Sequence, residues 1–248
     1  MRKALSVAIN MYNGAPLRGC INDSVNISSI LQQNGFEVST LHDAEATKQN
    51  ILAKLSELVN SLTENDTFIF HYSGHGSQIP TNDVNEEDHL TEILCPFDLI
   101  LPNGNWTNNF ITDDELANIF NNATCIVECF LDCCHSGTAT RELRPVVISR
   151  YVYPPTESVR TVSGFKKFEL GVKCNTRVVC WSGCRDDQTS ADAFIDNSFQ
   201  GAFTAALLRS TGTREQRLYT IVEFMRKQGY TQIPQLYCPD EFKQANIF

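Results

Sequence analysis

No apolar run in the 248 residues reaches the length needed to cross a bilayer, which excludes a spanning helix. The opening Met1-Arg2-Lys3-Ala4-Leu5-Ser6-Val7-Ala8-Ile9-Asn10 is too briefly apolar for a secretory signal and no small-residue cleavage site follows, so it reads as a first strand. There is no internal repeat and no low-complexity tract. No Cys-x-x-Cys pair occurs among the ten cysteines. Adjacent Cys133, Cys134 and His135 cannot easily converge on one tetrahedral ion, so a structural zinc site is not expected. Cationic residues are scarce, 20 Lys and Arg against 29 Asp and Glu for a net charge of -9. That balance argues against nucleic acid, whose phosphates call for clustered basic side chains, and suits a cationic substrate.

What is present is an ordinary globular composition, 42% hydrophobic and 20% charged. Strand and helix patterns alternate along it. Strands are expected at Ala4 to Ile9, Phe36 to Leu41, Thr67 to His71, Glu92 to Phe97, Cys125 to Leu131, Arg177 to Trp181 and Gln232 to Tyr237. Helices are expected from Cys20 to Asn34, with Ile21, Val25 and Leu31 inward and Gly35 as the stop, and after Thr47, where Ile51, Leu52, Leu55, Leu58, Val59 and Leu62 keep helical spacing. Thr112-Asp113-Asp114-Glu115 has the capping-box form and opens another. Two more are expected at Phe199 to Arg209 and Arg214 to Gln228. Such alternation implies an α/β fold with a mostly parallel central sheet and helices on both faces. Asp83 to Asp88 reads as an acidic loop, and Thr138 to Val172, interrupted by Pro145, Pro154 and Pro155, as a long connection. Ten cysteines lying mostly in or beside strands point to a reducing, cytoplasmic setting rather than a disulfide framework.

Two strands end in chemistry. Leu131-Asp132-Cys133-Cys134-His135-Ser136-Gly137 follows one apolar run, and His71-Tyr72-Ser73-Gly74-His75-Gly76 ends another. Side-chain alternation sends Asp132 and Cys134 to one side and Cys133 to the other. Parallel neighbours would bring His75 and Cys134 together at one sheet edge, where a thiol and an imidazole form a nucleophile and its proton carrier. Each is expected to be the exposed member of its local pair. The plain alternatives are a packed thiol and a hydrogen-bonded turn histidine. His71 and His135 are expected to be structural.

These two blocks resemble the catalytic blocks of the metacaspases, cysteine peptidases with a caspase-like fold. Arg18-Gly19-Cys20-Ile21-Asn22-Asp23 and Trp181-Ser182-Gly183-Cys184-Arg185-Asp186-Asp187-Gln188-Thr189-Ser190-Ala191-Asp192 match further blocks, so the resemblance runs from about residue 3 to about residue 238. It implies a short form without a long N-terminal pro-domain. The larger catalytic portion spans 1–140, a connecting loop spans 141–172, and a smaller C-terminal portion of the same domain spans 173–248. It also implies a cysteine endopeptidase, expected to be a monomer, with Cys134 as nucleophile and His75 as acid and base. The N–H groups of Gly76 and Cys134 are the candidates for the oxyanion hole, glycine permitting close approach.

Metacaspases cleave after Arg or Lys because acids line the first pocket, and here those positions match Asp23 and Asp132, with Cys20 and Ser73 beside them. Two carboxylates would repel each other unless a guanidinium or ammonium sat between them. Asp187 and Asp192 are candidates for added charge at the rim or for solvated loop positions. Many relatives bind calcium through aspartates, two of which match Asp113 and Asp114. This chain has Thr91 and Arg141 where further acids are expected, so no cofactor is expected and calcium is doubtful. Arg144, Arg150, Arg160, Lys166 and Lys167 of the connecting loop are candidate points of self-cleavage, and the sequence does not choose among them. The competing readings are a catalytically silent interaction module, a redox or metal protein built on the cysteine cluster, and an Asp-specific caspase-like peptidase.

Overall fold

The structure is a computed structural model that describes residues 1–81, 90–134, 147–155, 177–185 and 188–247. Its spine is a six-stranded sheet in the order β12, β9, β7, β3, β1, β2. The strands are β1 (Arg2–Ala8), β2 (Glu37–His42), β3 (Thr67–Ser73), β7 (Ile126–Asp132), β9 (Val178–Ser182) and β12 (Gln235–Tyr237). All neighbours are parallel except the β12 and β9 pair at one edge.

Period-two alternation divides the strand residues between two cores. Leu5, Val7, Phe68, Phe70, Tyr72, Val127, Cys129 and Leu131 face α2 (Lys48–Asn60) and α3 (Asp113–Asn121). Ala4, Ile69, Phe130, Val179 and Trp181 face α1 (Cys20–Gln33), α4 (Ala202–Arg209) and α5 (Arg214–Gln228). Burying each such side chain is worth about 1.5–3 kcal/mol, so the alternation fixes which face each strand residue takes. The short helix α6 (Asp240–Lys243) packs on α5.

Helix starts follow their local chemistry. Thr47 caps α2 by accepting from Asn50 N–H, and Thr112 forms a reciprocal capping box with Glu115 on α3. Gly35, at φ +80, lets the chain turn from α1 into β2.

Several expectations need correction. Val25 is exposed rather than inward, because the sheet-facing stripe of α1 runs through Asp23, Ser24, Ile27, Ser28 and Leu31. The strand expected over 92–97 is β5 (Leu90–Leu94), paired on one side with β4 (Gly76–Pro80) and on the other with β6 (Ile111–Thr112). The helix expected from Phe199 begins at Ala202, since Ser198–Gly201 forms β11, a hairpin partner of β10 (Ala191–Ile195). A third strand, β8 (Val147–Ser149), lies antiparallel on the other side of β10. It falls within the stretch expected to be a connecting loop. The acidic loop over 83–88, Arg141, Arg144, His135, Arg160, Lys166, Lys167 and Asp187 lie outside the described residues.

Candidate active site

β3 and β7 run parallel in a register that pairs Ser73 with Asp132. His75 and Cys134 each lie two residues beyond that pair, so the ladder itself delivers both to one end of the sheet. Gly74, between Ser73 and His75, has no room for a side chain, as a Cβ would come within 2.6 Å of the Tyr12 hydroxyl. The Tyr12 hydroxyl accepts from His75 N–H and donates to the Cys95 carbonyl, which fixes the turn carrying the imidazole.

Cys133 packs into the core on the α2 and α3 side, while Cys134 forms a separate small cluster with Tyr151 and Cys184. Neither candidate catalytic side chain is exposed. His75 is 2% and Cys134 0% accessible, because residues 147–152 lie across both. No hydrogen bond joins the two among the described residues. The Cys134 sulfur meets the N–H and carbonyl of Ser190, and His75 Nε2 meets the Ala15 carbonyl at 2.7 Å. His75 Nδ1 has no hydrogen-bond partner among the described residues. Burial pulls the His75 pKa down to about 4, and the nearby carbonyls of Ala15 and Arg150 oppose that pull. The ring is therefore neutral near pH 7 in this closed arrangement.

What lies between the two side chains is the carbonyl of Arg150, which accepts from Gly76 N–H at 3.0 Å and from Cys134 N–H at 3.4 Å. The side chain of Arg150, 0% accessible, fills a pocket beneath. One guanidinium nitrogen donates to Ser73 Oγ at 2.8 Å and to the Asp132 carbonyl, and lies 3.1 Å from Asp132 Oδ1. The other reaches Asp23 Oδ2 at 2.8 Å and Asp192 Oδ1 at 3.2 Å.

Each acid of this pocket comes from a different element and is held from behind. Asp23, on α1, accepts from Gly201 N–H and Ser73 Oγ. Asp132, ending β7, accepts from Ser190 Oγ at 2.6 Å and from the N–H and hydroxyl of Thr204 at the start of α4. Asp192, on β10, accepts from Arg18 N–H at 2.7 Å. Three carboxylates round one cation leave excess negative charge in a buried space. Burial pushes the Asp23 carboxyl up to about 7, and the Arg150 guanidinium pulls against that rise. Cys20, also fully buried, has its thiol pushed well up by burial, so it lines the pocket as a neutral group.

The structure therefore gathers Gly76, Cys134, Ser73, Asp23, Asp132 and Cys20 round one residue. Asp192, read from sequence as rim or solvated, is instead 0% accessible and fully part of the pocket. Ser190, Thr204 and Gly201 were missed. Gly201 has the clearest reason for its identity, since a Cβ there would run into Asp132 Oδ2 and the Arg150 guanidinium. His71 is held between Ser6 Oγ and Thr204 Oγ1, with its pKa drawn down to about 3 by burial.

Asp113 and Asp114 open α3, where Asp113 Oδ1 accepts from Asp114 N–H. Among the described residues no group of three or more His, Cys, Asp or Glu could hold a metal ion. Asp113 and Asp114 by themselves supply fewer than the six to eight oxygens that calcium takes.

A thiol at a strand end, two N–H groups converging on a peptide carbonyl and a pocket alongside define a protein of the cysteine peptidase class on an α/β sheet. The chain matches the caspase domain over residues 1–245. It is 33% identical to Metacaspase-1A of Aspergillus niger over 288 residues, 96% of this chain and 70% of that one. It is likewise 33% identical to Metacaspase-1 of Botryotinia fuckeliana over 299 residues, 100% and 70% of the two chains. A crystal structure of a protein from Geobacter sulfurreducens superposes with a TM-score of 0.73 at 26% identity, covering 100% of this chain and 98% of that one. The chain belongs to the caspase domain family and is a cysteine-type peptidase with a caspase-like fold.

Proposed function

We propose that the protein is an endopeptidase that cuts after Arg, and less well after Lys, with Cys134 as nucleophile and His75 as proton carrier. One observation carries this reading: the chain's own Arg150 holds its guanidinium among Asp23, Asp132 and Asp192 while Gly76 and Cys134 donate to its carbonyl. A substrate carbonyl in that position has the Cys134 thiol alongside and two fixed donors aimed at the oxygen that becomes negative on attack. His75 takes the thiol proton and returns it to the leaving amine. Water then releases the acyl group from sulfur.

The fork of contacts to both terminal nitrogens favours planar Arg over the single ammonium of Lys. An acidic side chain would add charge to a space already negative, which opposes the Asp-specific alternative. The Arg at position 141, where an acid is expected, supports action without calcium. The nine described cysteines, all free thiols, together with a thiol nucleophile, support a reducing compartment. We take the protein to act as a monomer.

Fluorogenic peptides ending in Arg, Lys or Asp, offered with calcium or with chelator, test this reading. The expected order is Arg above Lys with no turnover of Asp, unchanged by chelator and abolished in Cys134→Ala. A preference for Asp, or hydrolysis seen only in millimolar calcium, would overturn it. Absence of any Cys134-dependent turnover would favour the silent interaction module.

A further inference from the structure

One polar line crosses the otherwise apolar layer between the sheet and the helices α1 and α4. β1 and β3 pair Ser6 with His71, and β3 and β7 pair His71 with Phe130, two residues before Asp132. Around them Ala4, Ile27, Ile69, Phe130 and Phe203 form a fully buried apolar core. Ser6 Oγ lies 2.8 Å from His71 Nδ1, and Ser24 Oγ of α1 lies 2.7 Å beyond Ser6. Past Ser24, the half-buried His42 ends the line with its Nε2 at 2.8 Å. On the other side His71 Nε2 meets Thr204 Oγ1 at 3.5 Å, and that hydroxyl donates to Asp132 Oδ2 at 2.7 Å. A buried imidazole thus stands one hydroxyl away from a carboxylate of the arginine pocket.

The His71 ring is neutral near pH 7, since burial draws its pKa down to about 3, and it therefore carries one N–H. Which nitrogen carries it decides where the Thr204 hydroxyl points. With the proton on Nε2, His71 donates to Thr204 and accepts from Ser6, and Thr204 gives its only hydrogen to Asp132. With the proton on Nδ1, the bare Nε2 draws the Thr204 hydroxyl away and Asp132 loses a donor. An apolar residue at position 71 would leave that hydroxyl free to turn. Asp132 needs the donor because Asp23 and Asp192 share the same buried space. A carboxylate among like charges out of water takes up a proton unless hydrogen bonds hold it ionised, and once neutral it no longer attracts a guanidinium.

We propose that His71 is a positioning residue for recognition of the substrate's Arg: through Thr204 it keeps Asp132 ionised and aimed at the guanidinium. The role rests on the peptidase reading above and explains why an imidazole stands where packing alone asks for an apolar ring. It acts on which side chain enters the pocket, not on the thiol chemistry at Cys134.

The test uses the full chain and a pair of peptidyl chloromethyl ketones, one ending in Arg and one in its uncharged isostere citrulline. Each alkylates the Cys134 sulfur with loss of chloride, and the rate is followed by intact mass with Cys134→Ala as the blank. The ratio of the Arg rate to the citrulline rate, taken within one protein, cancels competition from Arg150, changes in thiol reactivity and any unfolded fraction. In the wild type Arg should lead. His71→Phe keeps a buried ring and Thr204→Val keeps the side-chain shape, and each should lower the ratio about tenfold, the worth of one hydrogen bond to a charged group. The double variant should fall no further than the worse single one, because both break the same line. His71→Gln, which can again offer an N–H to Thr204, should recover part of the ratio. Unchanged ratios in both single variants would overturn the role, and so would losses that simply add in the double variant. If wild-type Cys134 is alkylated with no preference for Arg, the Arg specificity falls and this role with it, while the thiol nucleophile stands. If Cys134 is not alkylated by either reagent, the peptidase reading itself fails.

Discussion

A single absent methyl group sets the size of the pocket. Gly201 donates its N–H to Asp23 and lies so close to Asp132 and to the Arg150 guanidinium that any β-carbon would collide with them. The site tolerates three carboxylates because each is bonded from behind, by Gly201, by Ser190 and Thr204, and by Arg18. Gly201→Ala should leave the fold intact at a cost of about 1–3 kcal/mol for the forced overlap. It should lower hydrolysis of Arg peptides about 100-fold, since misplacement of roughly 1 Å costs that much. Far-ultraviolet circular dichroism reports the first and initial rates the second; unchanged rates would mean that Gly201 does not bound the pocket. None of this was visible at Gly201 in the sequence, where it stood only ahead of an apolar run.

Among the elements, β7 carries the chemistry at one end and its anchor in the middle. Glu128 lies on the face toward α5, 0% accessible, and receives Arg214 through Nε at 3.1 Å and a second guanidinium nitrogen at 2.6 Å. Trp181 Nε1 of β9 donates to the same carboxylate at 2.8 Å. This one acid ties β7 to its neighbouring strand β9 and to the helix above it. Removing one partner leaves a charge buried without its counterpart, so Arg214→Ala should destabilise the protein by roughly 3–5 kcal/mol. Urea unfolding in a Cys134→Ala background measures this without self-digestion. A loss under about 1 kcal/mol, the range of exposed pairs, would show that the pair is solvated rather than buried. Helix caps at Thr47 and Thr112 and the stop at Gly35 were legible because they act within a few residues. The strands β4, β6, β10 and β11 were not. They are short, and their hydrogen bonds go to partners that the local sequence does not specify.

At the scale of the whole molecule, the sheet is built from both sides of the connecting segment. β9 and β12 lie after Tyr151, yet β9 pairs with β7 along five residues, from Val127 against Val178 to Leu131 against Ser182. The core between the sheet and α1, α4 and α5 mixes Ala4, Ile27 and Phe130 with Trp181, Phe203 and Ile221. Breaking one peptide bond between Pro155 and Arg177 removes none of that burial. A protein cut once there should therefore elute as a single particle of unchanged size and separate into two chains only on denaturation. Gel filtration beside a denaturing gel checks this, and two separated native peaks would show that the halves were joined by the connecting segment alone.

The sequence by itself determined the alternation of strands and helices and the two strand ends that carry Cys134 and His75, whereas Asp23 and Asp132 were singled out only through the family resemblance. Hydrophobic periodicity and capping are local, and the motifs are contiguous. Only the tertiary structure decided that Asp192 is buried beside them, that Gly201 must be glycine, and that Arg150, the only one of the five basic candidates among the described residues, sits in the pocket. Those facts depend on which segments meet across gaps of 42 and 127 residues from Arg150 to Asp192 and Asp23. Charge complementarity selects a partner only after folding has brought the groups together out of water.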